Sequence, residues 1–224
     1  MVERPGPRSR VSRSRMRATQ IGTAFEDQAR SAGYNLIAGL DEVGRGALAG
    51  PVVAGAVILD HLASLPRGLN DSKQLSPAER ERIAEEIRRT AVAFAVGCIS
   101  AEEIDQVNIL VATHRAMLIA LEALHPQAEF LLIDALHLKN CSLPQQSILR
   151  GDTISASIAA ASVVAKTYRD ALMRDFAVVH PQYGFAQHVG YGTQAHLQAL
   201  RTHGSSEIHR KSFRGVLPIP QPIQ

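Results

Sequence analysis

Apolar positions along the chain fall in short blocks between glycine- and proline-marked turns, and the spacing inside each block predicts its element. Residues 35–41 and 52–59 are compact apolar runs and predict two strands, joined by a loop holding Gly44, Gly46 and Gly50. Ser76, Pro77 and Glu79 form a helix-start pattern, and Ile83, Ala84, Ile87 and Ala91 supply the apolar face that follows. Residues 91–99 predict a third strand. A second Ser-to-Glu pattern, Ser100 to Glu103, opens what reads as one long helix. Ile104, Val107, Val111, His114, Leu118 and Leu121 lie near one face of it, and Pro126 ends it. Residues 129–138 predict a buried strand carrying Asp134, 146–150 a short further strand, and 155–179 a small-residue helix suited to close packing. Strands followed by alternating helices and strands predict an α/β domain. Beyond residue 180 the pattern fades into a polar extension with one short helix near 193–202.

Composition narrows the class. The 224 residues are 46 % hydrophobic, yet no run approaches the roughly 18 uninterrupted apolar residues of a membrane span, so no membrane association and a cytoplasmic location are expected. Cys98 and Cys141 are too few for a disulfide framework or a thiolate metal site and read as buried thiols. The formal charge of +3 is unevenly spread: Arg4, Arg8, Arg10, Arg13, Arg15 and Arg17 face one acid, Glu3, within residues 1–20. That segment reads either as a salt-sensitive tether for a polyanion or as a solvated leader.

The chemistry concentrates in four acids. Asp41 and Glu42 sit side by side in the stretch IAGLDEVGRGALAGPVVAGAVIL, Asp134 lies on a buried strand, and Asp152 follows Gly151 at the start of a new segment. A carboxylate pair in apolar surroundings is costly unless a cation neutralises it, and Arg45 is the nearest one in sequence. Each acid alone reads equally as a strand-end cap. Together, hard oxygen donors without Cys or His select Mg²⁺ or Mn²⁺, and several carboxylates suit a metal pair acting at phosphorus. Gly44-Arg45-Gly46 lies just beyond, either as a tight turn or as a backbone cradle for a sugar or phosphate oxygen.

Taken together, AGLDEVGRGALAGPVVAGAVIL, LNDSKQLS, LLIDAL, GDTISASIAAASVVAKTYRD and YGFAQHVGYGTQAHLQALRTHGSSEIHRKSF resemble the bacterial ribonuclease HII family, in the family's order from Ile37 to Phe213. The resemblance implies a ribonuclease H-like mixed β-sheet flanked by helices, with a small C-terminal helical extension. It implies a metal-dependent endonuclease that cuts RNA in RNA–DNA hybrids and at single ribonucleotides embedded in duplex DNA, 5′ to the ribonucleotide. Asp41, Glu42, Asp134 and Asp152 take the places of the family's catalytic, metal-binding tetrad, and Gly44, Arg45 and Gly46 those of its ribose-contacting loop. Tyr191 takes that of the tyrosine beside the ribose, and Lys73 and Lys166 resemble substrate-side basic residues. The expected organisation is a basic, disordered leader (1–34), a catalytic domain (35–179), a substrate-binding extension (180–216) and a flexible tail (217–224), acting as a monomer. Two positions depart from the family: Ala135 stands where glycine is usual, with a slight backbone effect expected, and Val189 where a basic residue is usual. The family's sister, ribonuclease HIII, carries an added N-terminal domain for which no room is expected before Ile37. A catalytically silent hybrid-binding module is the alternative from another class.

Overall fold

The computed structural model describes residues 21–216; the basic leader over 1–20 and the tail over 217–224 lie outside the described residues. Five strands form one sheet in the order β3–β2–β1–β4–β5. β1 (Ile37–Val43), β2 (Val52–Ile58) and β3 (Ala93–Ile99) make an antiparallel meander, while β4 (Phe130–Asp134) and β5 (Gln145–Ile148) run parallel to β1. Around them lie α1 (Ala24–Ser31), α2 (Pro77–Thr90), α3 (Ala101–Val107), α4 (Ile109–Glu122), α5 (Ala156–Val179), α6 (Phe185–His188) and α7 (Gln194–His203).

Alternation along β1 divides the core. Ala38 and Leu40 pack with Ala112, Ala116 and Met117 of α4, while Ile37 and Gly39 face α5 on the other side. The close seat of α5 requires bare backbone. A Cβ on Gly39 would lie 2.0 Å from the Ser157 carbonyl carbon, and one on Gly55 2.4 Å from the Ala161 oxygen. The Ala- and Ser-rich helix and the sheet glycines are thus matched surfaces, and they set α5 directly over the strand that carries Asp41.

Several expectations are corrected. The single helix after Ser100 is two, because Asn108 takes φ +72° and its side chain accepts the Leu110 and Val111 N–H groups at 3.0 and 3.1 Å. Ser76 and Glu79 complete a reciprocal cap, whereas Ser100 only accepts the Glu103 N–H. β4 ends at Asp134, where Ala135 enters the left-handed region at φ +50°, so its methyl stands where glycine carries no steric cost. Val189 is left-handed as well, at φ +44°.

The disordered leader expected over 1–34 does not reach that far. α1 docks because the buried Glu26 carboxylate accepts from Ser155 Oγ, Ser157 N and Ser157 Oγ at 2.7, 2.8 and 2.6 Å, at the positive N-terminus of α5. The polar extension has a core of its own, in which Ala49, Met173, Tyr183, Phe185 and Leu200 are buried together. Cys98 is exposed and Cys141 half-buried, rather than both buried. Among the described residues no helix is long and apolar enough to cross a membrane.

Candidate active site

Because β1 and β4 are parallel neighbours with Leu40 paired to Ile133, the next residues, Asp41 and Asp134, leave the same end of the sheet. Glu42 points to the opposite side of β1 from Asp41. Asp152 arrives from a short turn, Gly151–Thr153, ahead of α5. That turn is fastened to the strand end, since the Gly151 N–H donates to Asp134 Oδ1 at 2.7 Å.

Three of the four acids are held above their ordinary range. Burial first, then the neighbouring charges of Glu42, Asp134 and Asp152, hold the Asp41 carboxyl well above the ordinary aspartate range. Burial also pushes Glu42 up, against the opposing bond from Arg45 at 3.0 Å. Asp134 is raised by burial and by Asp152, partly offset by the Gly151 N–H. Arg45 is not the sole cation. Lys73 Nζ lies 2.7 Å from Asp152 Oδ2, and its loop is built to aim it: Asp71 Oδ1 accepts the Lys73 N–H at 2.9 Å, and Ser72 meets Ser162 of α5 at 2.9 Å. Burial works against the Lys73 ammonium, yet its bond to Asp152 and the charges of Asp71 and Asp41 carry its pKa upward.

Among the described residues no three His, Cys, Asp or Glu side chains close tightly enough to enclose an ion. The donor set nonetheless suits a hard divalent cation. All four groups are carboxylates, three hold their charge against its preference, and the buried Glu42 Oε2 has no hydrogen-bond partner among the described residues.

Beside the acids, two loops face each other across a floor of buried arginine. Arg210 donates to the carbonyls of Gly50 (3.0 Å) and Arg45 (2.9 Å). Arg169 donates to Pro51, Ala49 and Val189 at 2.9, 3.1 and 2.9 Å, and its guanidinium lies 5.6 Å from the Tyr191 ring centre. Both arginines are fully buried, and among the described residues neither pairs with a carboxylate. Gly44 is needed by this floor: at φ +91°, a Cβ there would lie 2.2 Å from Arg169 Nε. Gly46 differs, because a Cβ on it meets nothing within 4 Å. The Arg45 carbonyl is turned inward, while no hydrogen bond among the described residues takes the Arg45 or Gly46 N–H. Tyr191 is partly exposed across from them. Lys166 stands apart from the four acids, held at 2.5 Å by Asp170 one turn along α5.

A mixed sheet in this strand order, with acids where two parallel strands end beneath a long helix, defines a ribonuclease H-fold hydrolase. The chain belongs to the ribonuclease HII family, whose family model, "Ribonuclease HII", matches residues 38–216. It is 53 % identical over 192 residues to the ribonuclease HII of Geobacillus thermodenitrificans, covering 86 % of this chain and 73 % of that one. The fold agrees with the crystal structure of ribonuclease H2 from Pyrococcus horikoshii (TM-score 0.68, 22 % identity, covering 81 % of this chain and 95 % of that one). It also agrees with Bst-RNase HIII in complex with Mn²⁺ (TM-score 0.61, 20 % identity, covering 84 % and 70 %). The protein is therefore a ribonuclease H endonuclease.

Sequence reasoning passed over Arg169 and Arg210. Both lie inside stretches that carry the resemblance, KTYRD and HRKSF, but nothing in a single sequence marks an arginine as buried. The histidines of the extension were missed for the same reason.

Proposed function

We propose that the chain hydrolyses the phosphodiester 5′ to a ribonucleotide, both in RNA–DNA hybrids and at single ribonucleotides in duplex DNA, leaving 3′-hydroxyl and 5′-phosphate ends. In this reading it acts as a monomer in the cytoplasm, removing ribonucleotides from DNA. The carrying observation is that Asp41 and Asp134 leave the same end of the sheet with the Asp152 turn fastened to Asp134, while burial opposes the charges of Asp41, Glu42 and Asp134. These four would hold a pair of Mg²⁺ or Mn²⁺ ions, which when bound supply positive charge at the reacting phosphate and a readily deprotonated water. Lys73 adds a positive charge next to Asp152, and Arg45 one next to Glu42.

Recognition of the ribose belongs to the neighbouring loops. The 2′-hydroxyl both donates and accepts, so it is the group that tells RNA from DNA. The Arg45 and Gly46 N–H groups and the open space over Gly46 suit close approach of a sugar, with the Tyr191 ring packing against it. Lys166 remains a candidate for contact with the nucleic-acid backbone. Incubation with duplex DNA containing one ribonucleotide, in Mg²⁺, Mn²⁺ or chelator, tests the reading. Metal-dependent cutting on the 5′ side supports it; binding without cutting in any metal replaces it with a silent hybrid-binding module.

A further inference from the structure

Three histidines lie buried beneath Tyr191. His188 ends α6, His196 sits on α7 and His209 lies on the following segment, at 9 %, 0 % and 1 % exposure. The His188 and His196 rings stack with centres 4.4 Å apart.

Hydrogen bonding assigns every ring proton. The Ser206 backbone N–H points at His209 Nδ1 from 2.9 Å, so that nitrogen is bare and the proton sits on Nε2. His209 Nε2–H then donates to His196 Nε2 at 3.0 Å, which must be bare in turn. The proton of His196 is left on Nδ1, where it donates to the Tyr191 carbonyl at 2.9 Å. His188 follows the same logic: Nδ1 accepts the Gly190 N–H at 3.2 Å and Nε2–H donates to the Tyr183 carbonyl at 2.7 Å.

We infer that His209 and His196 are positioning residues for Tyr191. A one-way chain of hydrogen bonds, from Ser206 through His209 and His196 to the Tyr191 carbonyl, holds that loop in place while both rings are neutral. The role presupposes that Tyr191 packs against the ribose. A core needing only volume there would be filled by leucine or phenylalanine, without the cost of burying two imidazoles. A further proton on His196 Nε2 would set donor against donor between the two rings, and one on His209 Nδ1 would set it against the Ser206 N–H; either cuts the chain. Its surroundings keep that proton out. Burial, then His196 and His180, depress His209 to about 4, against the opposing pulls of the Ser206 backbone and, more weakly, of Glu207, which pairs with His180 at 3.0 Å. Tyr183 and Phe185 close the space beside it, with ring centres 4.7 and 5.6 Å away. Burial also lowers His196, with His188 adding to the effect.

Imidazole ¹⁵N NMR on the full chain at neutral pH tests the chain of bonds without any substitution. The expected result is Nδ1–H for His196 and Nε2–H for His209; the reverse tautomer of His196, or a charged ring, overturns the inference. Kinetics on duplex DNA with one ribonucleotide test the function. His209→Leu, which lacks the donor, should raise KM about three- to tenfold, the scale of one lost hydrogen bond, with little change in kcat. His209→Gln, which can place an amide N–H near the Nε2 position, should restore most of that loss. In a Tyr191→Ala background, His209→Leu should add nothing. Equal damage from Leu and Gln, or an effect that adds to that of Tyr191→Ala, overturns positioning through Tyr191. A harmless His209→Leu beside a damaging Tyr191→Ala removes the chain and leaves the ribose reading standing. A harmless Tyr191→Ala removes both.

Discussion

Lys73 and Asp152, 79 residues apart, are joined by a 2.7 Å contact that puts an ammonium beside the acid cluster. The lysine side chain is largely exposed, so the pair contributes only about 1 kcal/mol or less to stability. Its larger effect is competition with any cation that seeks the same carboxylate. Lys73→Met should therefore tighten Mg²⁺ binding to the substrate-free protein in titration calorimetry while weakening capture of nucleic acid. Unchanged metal affinity would show that the ammonium and the metal do not share Asp152.

The acid cluster sets a pH dependence of known sign. Asp41, Glu42 and Asp134 have folded pKa values above their unfolded ones, so folding binds protons. The stability they contribute is complete below the ordinary carboxylate range and is lost as pH rises through the raised folded values. At neutral pH the metal-free protein holds repulsion that Arg45 and Lys73 relieve only in part. Asp134→Asn should then raise the metal-free Tm, an effect that shrinks on acidification, and its Oδ1 can still accept the Gly151 N–H. Turnover should fall by about 10² or more, the scale of losing a key electrostatic group. A Tm that drops at neutral pH would mean that the carboxylate stabilises the site.

Gly44 and Gly46 should separate cleanly. Gly44→Ala pushes a methyl into Arg169 at a positive φ and should cost about 1–3 kcal/mol by overpacking, read as a lower denaturant midpoint. Gly46→Ala has room and should leave the midpoint nearly unchanged while raising KM for ribonucleotide-containing duplex. Normal kinetics for Gly46→Ala would take the sugar away from this loop.

Tyr191 should matter most where a single ribose is available. Tyr191→Ala is expected to impair cutting at one embedded ribonucleotide more than cutting of a long RNA–DNA hybrid, where many registers are offered. Tyr191→Phe keeps the ring above the Arg169 guanidinium and should do less harm. Equal losses on both substrates would indicate a general loosening of the extension.

Most of the sheet was legible because β1 to β4 are largely apolar runs, unlike the polar β5, and the start of α2 because Ser76, Pro77 and Glu79 act locally. Asp41 and Asp134 could be placed at strand ends for the same reason. What escaped was set by distant partners. Asn108 breaks a helix that periodicity alone would continue, and Glu26 is fixed by serines about 130 residues away. Lys73 becomes a partner of Asp152 only through the crossovers between α2, the sheet and α5. His196, His209 and Arg210 look polar in sequence and are buried because backbone carbonyls and one another take most of their hydrogen-bonding groups, Arg210 Nη2 alone of these three side chains being left without a partner among the described residues.

The bond from Arg210 to the Arg45 carbonyl spans 165 residues, and this has a bearing on synthesis. A growing chain emerges with Asp41 and Glu42 early, and Arg169 reaches the carbonyls of Ala49 and Pro51 once α5 is made, but the Arg45 carbonyl lacks its donor until Arg210 has left the ribosome. The acids and every strand precede Arg210 in the chain; the full anchoring of the loop proposed to meet the ribose waits for it. An incomplete chain therefore carries all four acids while the loop proposed to choose the ribose is still only partly held.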